Sequence, residues 1–139
     1  ERLGHLEQRF TLPLTSILTT DVLTVPPDAT VSEFVYMHVL GRRERVVPVV
    51  RAGSYEGLAR LEDLSTIDRD DWETTTIESL MTTDLPTARP SWSLRDAVAA
   101  MESADIDMLA VTDDEGAFIG VVTEDDVIRL DEILDETGG

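Results

Sequence analysis

Cysteine is absent from this 139-residue chain, and so is lysine; all 11 basic residues are arginine. Without cysteine there can be no disulfide, no thiol nucleophile and no cysteine-ligated zinc. Histidine occurs only at His5 and His38. There is no H-E-x-x-H, no G-x-S-x-G and no glycine-rich phosphate loop, and the many carboxylates have no nucleophilic or basic partner set beside them by motif. A catalytic site is therefore not expected in this chain, nor a metal site. No apolar run approaches the ~20 residues that span a bilayer, and no secretory leader pattern is present. Because residue 1 is Glu rather than Met, the chain is expected to be a piece of a longer protein.

Positive charge is also scarce: 29 acidic residues face 11 basic ones, for a net charge of −18. Such a field repels nucleic acid and anionic lipid, so neither is expected as a partner. Two origins for the acidic, lysine-free composition stay open. One is a halophile's cytosol, where screening contracts to ~3 Å at 1 M salt and a dense acidic surface costs little. The other is a GC-rich genome that favours arginine codons.

What the chain does contain is a repetition. Gly57-Leu-Ala-Arg60-Leu-Glu-Asp63-Leu64 returns as Gly120-Val-Val-Thr123-Glu-Asp-Asp126-Val127, sixty-three positions later. Leu18-Thr-Thr-Asp21 returns as Met81-Thr-Thr-Asp84, and Thr24-Val-Pro-Pro27 as Thr87-Ala-Arg-Pro90, at the same offset. Only the middle slips by one: Val46-Val-Pro-Val49 matches Met108-Leu-Ala-Val111. A repeat held in register over most of a chain marks two copies of one supersecondary unit. Each is too short to bury a good core alone, so the pair is expected to pack face to face about a pseudo-two-fold axis, with a cleft between.

Each copy is expected to run as an entry segment and strand, then helix, strand, strand, helix. Val31, Phe34, Val35 and His38 form one largely apolar helical stripe from Thr30 to Leu40, opened by a capping box at Thr30-Val-Ser-Glu33. The twin stripe is Leu94, Ala97, Val98 and Met101, opened by Ser93. Strands are predicted over 46–50 and 108–111, and, after glycine-bearing turns, over 56–59 and 118–122. Closing helices are predicted near Leu61 and Glu124. The domain division is an arm or short helix over 1–11, a first repeat over 12–67, a polar linker over 68–75, a second repeat over 76–135 and a frayed tail over 136–139.

The order β-α-β-β-α, with D-V-x-T-V-x-P first, an apolar strand containing P-V-V next and G-h-h-T-x-x-D-h last, resembles a cystathionine-β-synthase-type (CBS) domain. Two in tandem resemble the Bateman module, over roughly Leu12 to Asp135. The resemblance implies an α+β fold and a cytosolic regulatory unit that senses an adenine nucleotide (AMP, ADP or ATP), commonly as a homodimer. The linker Asp71-Trp72-Glu-Thr-Thr-Thr76-Ile-Glu-Ser-Leu-Met81, with the arginine-rich run at Arg42, Arg43 and Arg45, further resembles CBS pairs attached to site-2-type intramembrane zinc proteases. That implies a membrane-embedded catalytic domain as the effector in the same protein. The alternative is a ligand-free structural or dimerisation module of a larger protein such as a transporter or channel.

Residue by residue, the resemblance places a phosphate at Thr123 and a ribose at Asp126, with the base against Leu18, Leu23 and the backbone around Arg45 and Val46, and the Arg45 side chain within reach of the phosphates. Read by spacing alone, Thr123-Glu-Asp-Asp126 is equally a helix cap. A weaker second site would use Arg60, Asp63, Met81, Leu85, Asp107 and Met108. There Arg60 replaces the hydroxyl residue and Asp107 stands where the first site has Arg45. Arg60 is expected to pair with a nearby carboxylate, such as Asp63, Asp84 or Asp107, and so to close that site.

Overall fold

The computed structural model describes residues 12–40 and 45–136. Expectations for residues 1–11, for Arg42 and Arg43, for the His38 side chain and for residues 137–139 lie outside the described residues. The fold is α+β. Helices α1 (Val31–Leu40), α2 (Leu94–Ala104) and α3 (Glu124–Glu136) accompany strands β1 (Val46–Arg51), β2 (Ser54–Arg60), β3 (Thr87–Ala88), β4 (Met108–Thr112) and β5 (Phe118–Thr123).

The chain divides into two compact units that cut across the sequence repeats. One is continuous, Leu23–Leu85; the other is composite, joining the residues up to Val22 to those from Pro86 onward. The reason is an exchange of entry segments, made twice at the same offset. In the continuous unit Thr82 pairs with Leu58, Thr76 pairs with Thr30, and the Val31 N–H donates to the Thr75 carbonyl. In the composite unit the equivalents are Thr19 with Val121, Pro13 with Ser93, and the Leu94 N–H to the Leu12 carbonyl. Each repeat's helix start and last strand are thus completed by the segment that leads into the other repeat. Those segments carry core residues with them: Ile77 in one unit and its counterpart Leu14 in the other have no exposed surface.

The α2 stripe is buried as its periodicity requires, and of the α1 stripe Val31 and Phe34 are buried and Val35 half-buried. Val31 and Phe34 of α1 lie in one core with Val25, Val47 and Val49; Leu94, Ala97 and Met101 of α2 lie in the other with Leu109 and Val122. Both capping boxes form. Thr30 Oγ1 accepts from the Glu33 N–H while Glu33 accepts from the Thr30 N–H, and Ser93 and Asp96 do the same. In the continuous unit β1 and β2 are antiparallel, and Val25 adds a parallel bridge to Val49. In the composite unit β3 runs parallel to β4, and β4 antiparallel to β5.

The one-residue slip of the middle strand is real. Val46 faces Arg60 and Met108 faces Thr123, so the middle strands shift by one against strands that keep the common offset. The β1–β2 turn has positive φ at Ala52 and Gly53, as a two-residue hairpin turn demands. The β4–β5 turn is held by Asp113, whose carboxylate accepts from the Glu115 and Ala117 N–H groups.

One element departs from expectation. The closing helix of the first repeat is not an α-helix but a 3-10 helix of six residues, Leu61–Thr66. Its cap position is Arg60, which makes no side-chain capping bond. The Ser65 and Thr66 hydroxyls then donate back to the Glu62 and Asp63 carbonyls three residues earlier and hold the tighter turn. In the second repeat Thr123 supplies the cap and α3 runs on for 13 residues.

The linker is also more ordered than a polar tether. A short 3-10 turn, Arg69–Asp71, leads into Trp72, whose indole N–H donates to the Ile67 carbonyl at 3.1 Å. The Trp72 carbonyl in turn accepts from the Ser32 N–H in the first turn of α1. The linker thereby satisfies helix N–H groups that have no partner within the helix.

Candidate functional site

In the composite unit β5 delivers Thr123 to the start of α3. Its hydroxyl oxygen accepts the Asp126 N–H at 3.2 Å, so Thr123 caps the helix. Its hydroxyl proton is not used by that bond. Glu124, Asp125 and Asp126 fill the first turn, where the partial positive charge of a helix start favours carboxylates. The Asp126 carboxylate is held from two sides: Oδ2 accepts from the Thr19 hydroxyl at 3.5 Å, and Oδ1 lies 3.5 Å from the Arg129 guanidinium.

Thr19 reaches Asp126 because its own backbone is sewn to β5. Thr19 and Val121 exchange two N–H to carbonyl bonds of 2.9 Å each. Gly120 allows that approach: a Cβ there would collide with the Thr19 carbonyl oxygen. The same segment brings Leu18 alongside. Leu18, Ile17, Leu130 and Ile133 wall an open recess of about 270 Å³, with Asp126 and Arg129 at its polar side. An apolar wall next to a carboxylate and a guanidinium suits a flat apolar ring bearing hydroxyl and anionic groups.

The structure therefore brings Leu18 and Asp126 to one recess in the composite unit, with Thr123 capping the helix that carries Asp126. Leu23, Arg45 and Val46 belong to the continuous unit. There Leu23 packs against the core, Arg45 is exposed and Val46 is half-buried in β1. For the second site, Arg60, Asp63, Met81 and Leu85 lie in the continuous unit and are half-buried, whereas Asp107 and Met108 lie in the composite unit. The matching of Arg45 to Asp107 is visible in the backbone. The Arg45 carbonyl accepts the Leu61 N–H at 2.8 Å, and the Asp107 carbonyl accepts the Glu124 N–H at 3.0 Å.

The expected plug is not formed within the continuous unit. Among its described residues no carboxylate, Asp63 and Asp84 included, pairs with Arg60. Its backbone sits at the strand edge opposite Val46, and Gly57 and Thr82 mirror Gly120 and Thr19. Sequence reasoning missed Thr19 and Arg129. Thr19 was visible as half of a Thr19–Thr82 match at the repeat offset, and Arg129 as a cation one turn beyond Asp126. Among the described residues no group of three or more His, Asp or Glu side chains is placed to hold a metal ion. Nor is any described helix long and apolar enough to cross a membrane.

Two copies of one α+β unit, each completed by the entry segment of the other, make this a tandem-repeat module, with a capped Thr-x-x-Asp helix start in the second copy. The chain belongs to the CBS-domain family, whose defining pattern matches residues 14–69 and again 77–132. Over 116 residues it is 32% identical to a Mycobacterium tuberculosis protein named as zinc metalloprotease Rip3, covering 81% of this chain and 30% of that one. Over 128 residues it is 26% identical to a homoserine O-acetyltransferase of Methanohalophilus mahii, covering 92% of this chain and 25% of that one. The chain thus spans between a quarter and a third of the length of these relatives.

Among solved structures, the CBS domain of a bacterial CNNM/CorC-family Mg2+ transporter in complex with ATP matches with a TM-score of 0.80 at 21% identity, covering 93% of each chain. CBSX2 in complex with AMP matches with a TM-score of 0.79 at 21% identity, covering 89% of this chain and 98% of that one. At such identities the likeness is one of fold.

Proposed function

We propose that this tandem CBS pair is a regulatory module that binds an adenine nucleotide (AMP, ADP or ATP) at the Thr123–Asp126 helix start. The observation that carries the reading is the Asp126 carboxylate beside the Leu18-walled recess. A carboxylate can accept both hydroxyls of a ribose, the recess suits a purine, and the free proton of the Thr123 hydroxyl can be donated to a phosphate oxygen. Leu23, Arg45 and Val46 are assigned to the same ligand, Arg45 as a second phosphate contact. Support also comes from the fold likeness to CBS structures holding ATP and AMP.

The second site, at Arg60, Asp63, Met81, Leu85, Asp107 and Met108, is the weaker of the two. It lacks the capping hydroxyl and carries Asp107 where the first has Arg45.

Titration calorimetry with AMP, ADP and ATP tests the reading, alongside Asp126→Ala. Charge-assisted hydrogen bonds are worth ~1.5–3 kcal/mol. Asp126→Ala should therefore weaken binding by roughly ten- to a hundred-fold while circular dichroism stays that of the folded chain. A folded Asp126→Ala protein with unchanged affinity removes the ribose assignment.

The effector is proposed to be a membrane-embedded zinc protease in the same protein, with this module on the cytosolic side and pairing as a homodimer. The likeness to the protein named Rip3 supports that choice. Proteolysis by the full-length protein, with and without nucleotide, is the measurement; a rate indifferent to saturating nucleotide rejects the regulatory link.

A further inference from the structure

The Asp126 carboxylate has a neighbour on each of its oxygens. Oδ2 accepts from the Thr19 hydroxyl and Oδ1 lies against the Arg129 guanidinium, both at 3.5 Å. An ionised carboxylate offers about two lone-pair sites on each oxygen, so one on each is left over. The Asp126 side chain is 25% exposed and borders the recess together with Thr19, Arg129 and Leu18. Left to itself the carboxylate would turn, because the last torsion of an aspartate is broad and roughly two-fold. Thr19 is placed to oppose that turn. Its backbone is bonded to Val121 in both directions at 2.9 Å, and its β-branched side chain is stiff at χ1. The Arg129 side chain is 70% exposed, so its ion pair adds little to the stability of the fold. Its effect falls on where the carboxylate points.

The internal repeat serves as a control on this feature. At the repeat offset Asp63 matches Asp126 and Thr82 matches Thr19, but the counterpart of Arg129 is Thr66. The Thr66 hydroxyl donates to the Asp63 backbone carbonyl at 3.0 Å. Among the described residues no side chain is bonded to the Asp63 carboxylate. The fold is built in that copy with its aspartate unheld, so packing does not demand the two contacts at Asp126.

We infer that Thr19 and Arg129 are positioning residues: they set the Asp126 carboxylate as a two-pronged acceptor for a cis-diol, and so make the site select ribonucleotides over their deoxy analogues. The inference rests on the nucleotide reading above. The 2′- and 3′-hydroxyls of a ribose lie side by side, and each has one proton to donate. They match the one unused lone-pair site on each oxygen. A carboxylate that turns presents both oxygens to both hydroxyls for only part of the time, and the diol then loses its advantage over a single hydroxyl.

The test is titration calorimetry of the chain with AMP, 2′-deoxy-AMP and 3′-deoxy-AMP. In the parent, loss of either hydroxyl should weaken binding roughly ten- to a hundred-fold. Thr19→Val and Arg129→Met should each shrink at least one of those penalties to about threefold or less. Thr19→Ser keeps the hydroxyl and should keep the parent's penalties. A role in the fold alone, or in overall charge alone, weakens all three ligands by one factor and leaves their ratios as they were. Ratios that stay at the parent's values in both Thr19→Val and Arg129→Met, or that rise, overturn the inference. Asp126→Ala separates this failure from failure of the nucleotide reading. If Asp126→Ala weakens AMP while those ratios hold, the ribose assignment stands and the positioning inference falls. If Asp126→Ala leaves AMP binding unchanged, or the parent binds no AMP, both fall.

Discussion

Replacing Gly120 by alanine probes the seam on which the candidate site rests. The added Cβ would collide with the Thr19 carbonyl oxygen, which is backbone and cannot swing aside as a side chain would. The segment must then lift from β5, and the two Thr19–Val121 bonds of 2.9 Å go with it. At ~0.5–1.5 kcal/mol each, their loss costs about 1–3 kcal/mol. Partial exposure of Leu18, which packs against the core, adds about another 1 kcal/mol. The expected total is ~2–4 kcal/mol, roughly 6–15 °C in Tm for a chain of this size.

Gly116→Ala is the matched control. Gly116 has φ +87° but open space around it, so only left-handed backbone strain of ~1–2 kcal/mol applies. Urea unfolding followed by circular dichroism measures both, and hydrogen exchange at Thr19 and Val121 reports the seam itself. If Gly120→Ala falls within ~0.5 kcal/mol of the parent, with Thr19 still protected, the close approach is not what the glycine serves.

Three further outcomes are expected. Thr123→Ala should cost about 1 kcal/mol of stability by removing the cap of α3, whereas Thr123→Ser keeps the hydroxyl and should cost little; equal losses in urea unfolding would deny the cap. Burial raises the Tyr55 phenol to about 12 from an ordinary 10.0. The stability this contributes is fully present below pH 10 and lost as pH rises through about 12; Tyr55→Phe should flatten that alkaline decline, and overlaid curves would reject the assignment. Stability should rise with KCl, because the ion pairs Arg51–Glu78, Arg89–Asp114 and Arg129–Asp126 are largely exposed and small beside the self-repulsion of a net −18 chain. A Tm that falls as KCl is added would show that attraction dominates.

Much of the architecture was legible because periodicity and repetition report the same thing. The stripe Leu94, Ala97, Val98 and Met101 reads as a buried helix face, and Ser93 three residues before Asp96 reads as its start. The slip between Val46 and Met108 could be seen by aligning the chain on itself. The exchange of entry segments could not. Leu14 and Ile77 each sit in a short segment of mixed apolar and polar residues without helix or strand periodicity, and nothing local tells which core receives them. The 3-10 helix at Leu61 was misread because its apolar pattern matches that of α3; the difference lies in a cap, Arg60 against Thr123, and in two hydroxyls that bond backward. At the site, spacing alone read Thr123 and Asp126 as a helix cap, and the Asp126 N–H does donate to the Thr123 hydroxyl oxygen. Thr19 could be seen in the repeat match with Thr82, but nothing local tied it to Asp126, 107 residues away.

The exchanged entry segments also set an order of events during synthesis. The continuous unit contains every residue of its own core, so it can close once Leu85 has left the ribosome. The stretch from Leu12 to Val22 emerges before it and has nothing to pair with until β5 and α2 arrive. Its Leu14 and Leu18 must therefore stay in water through most of translation, and the loop finally closed between Thr19 and Asp126 spans 107 residues. Premature release just after Leu85 should leave a folded remnant trailing a sticky leader, a ready substrate for chaperones.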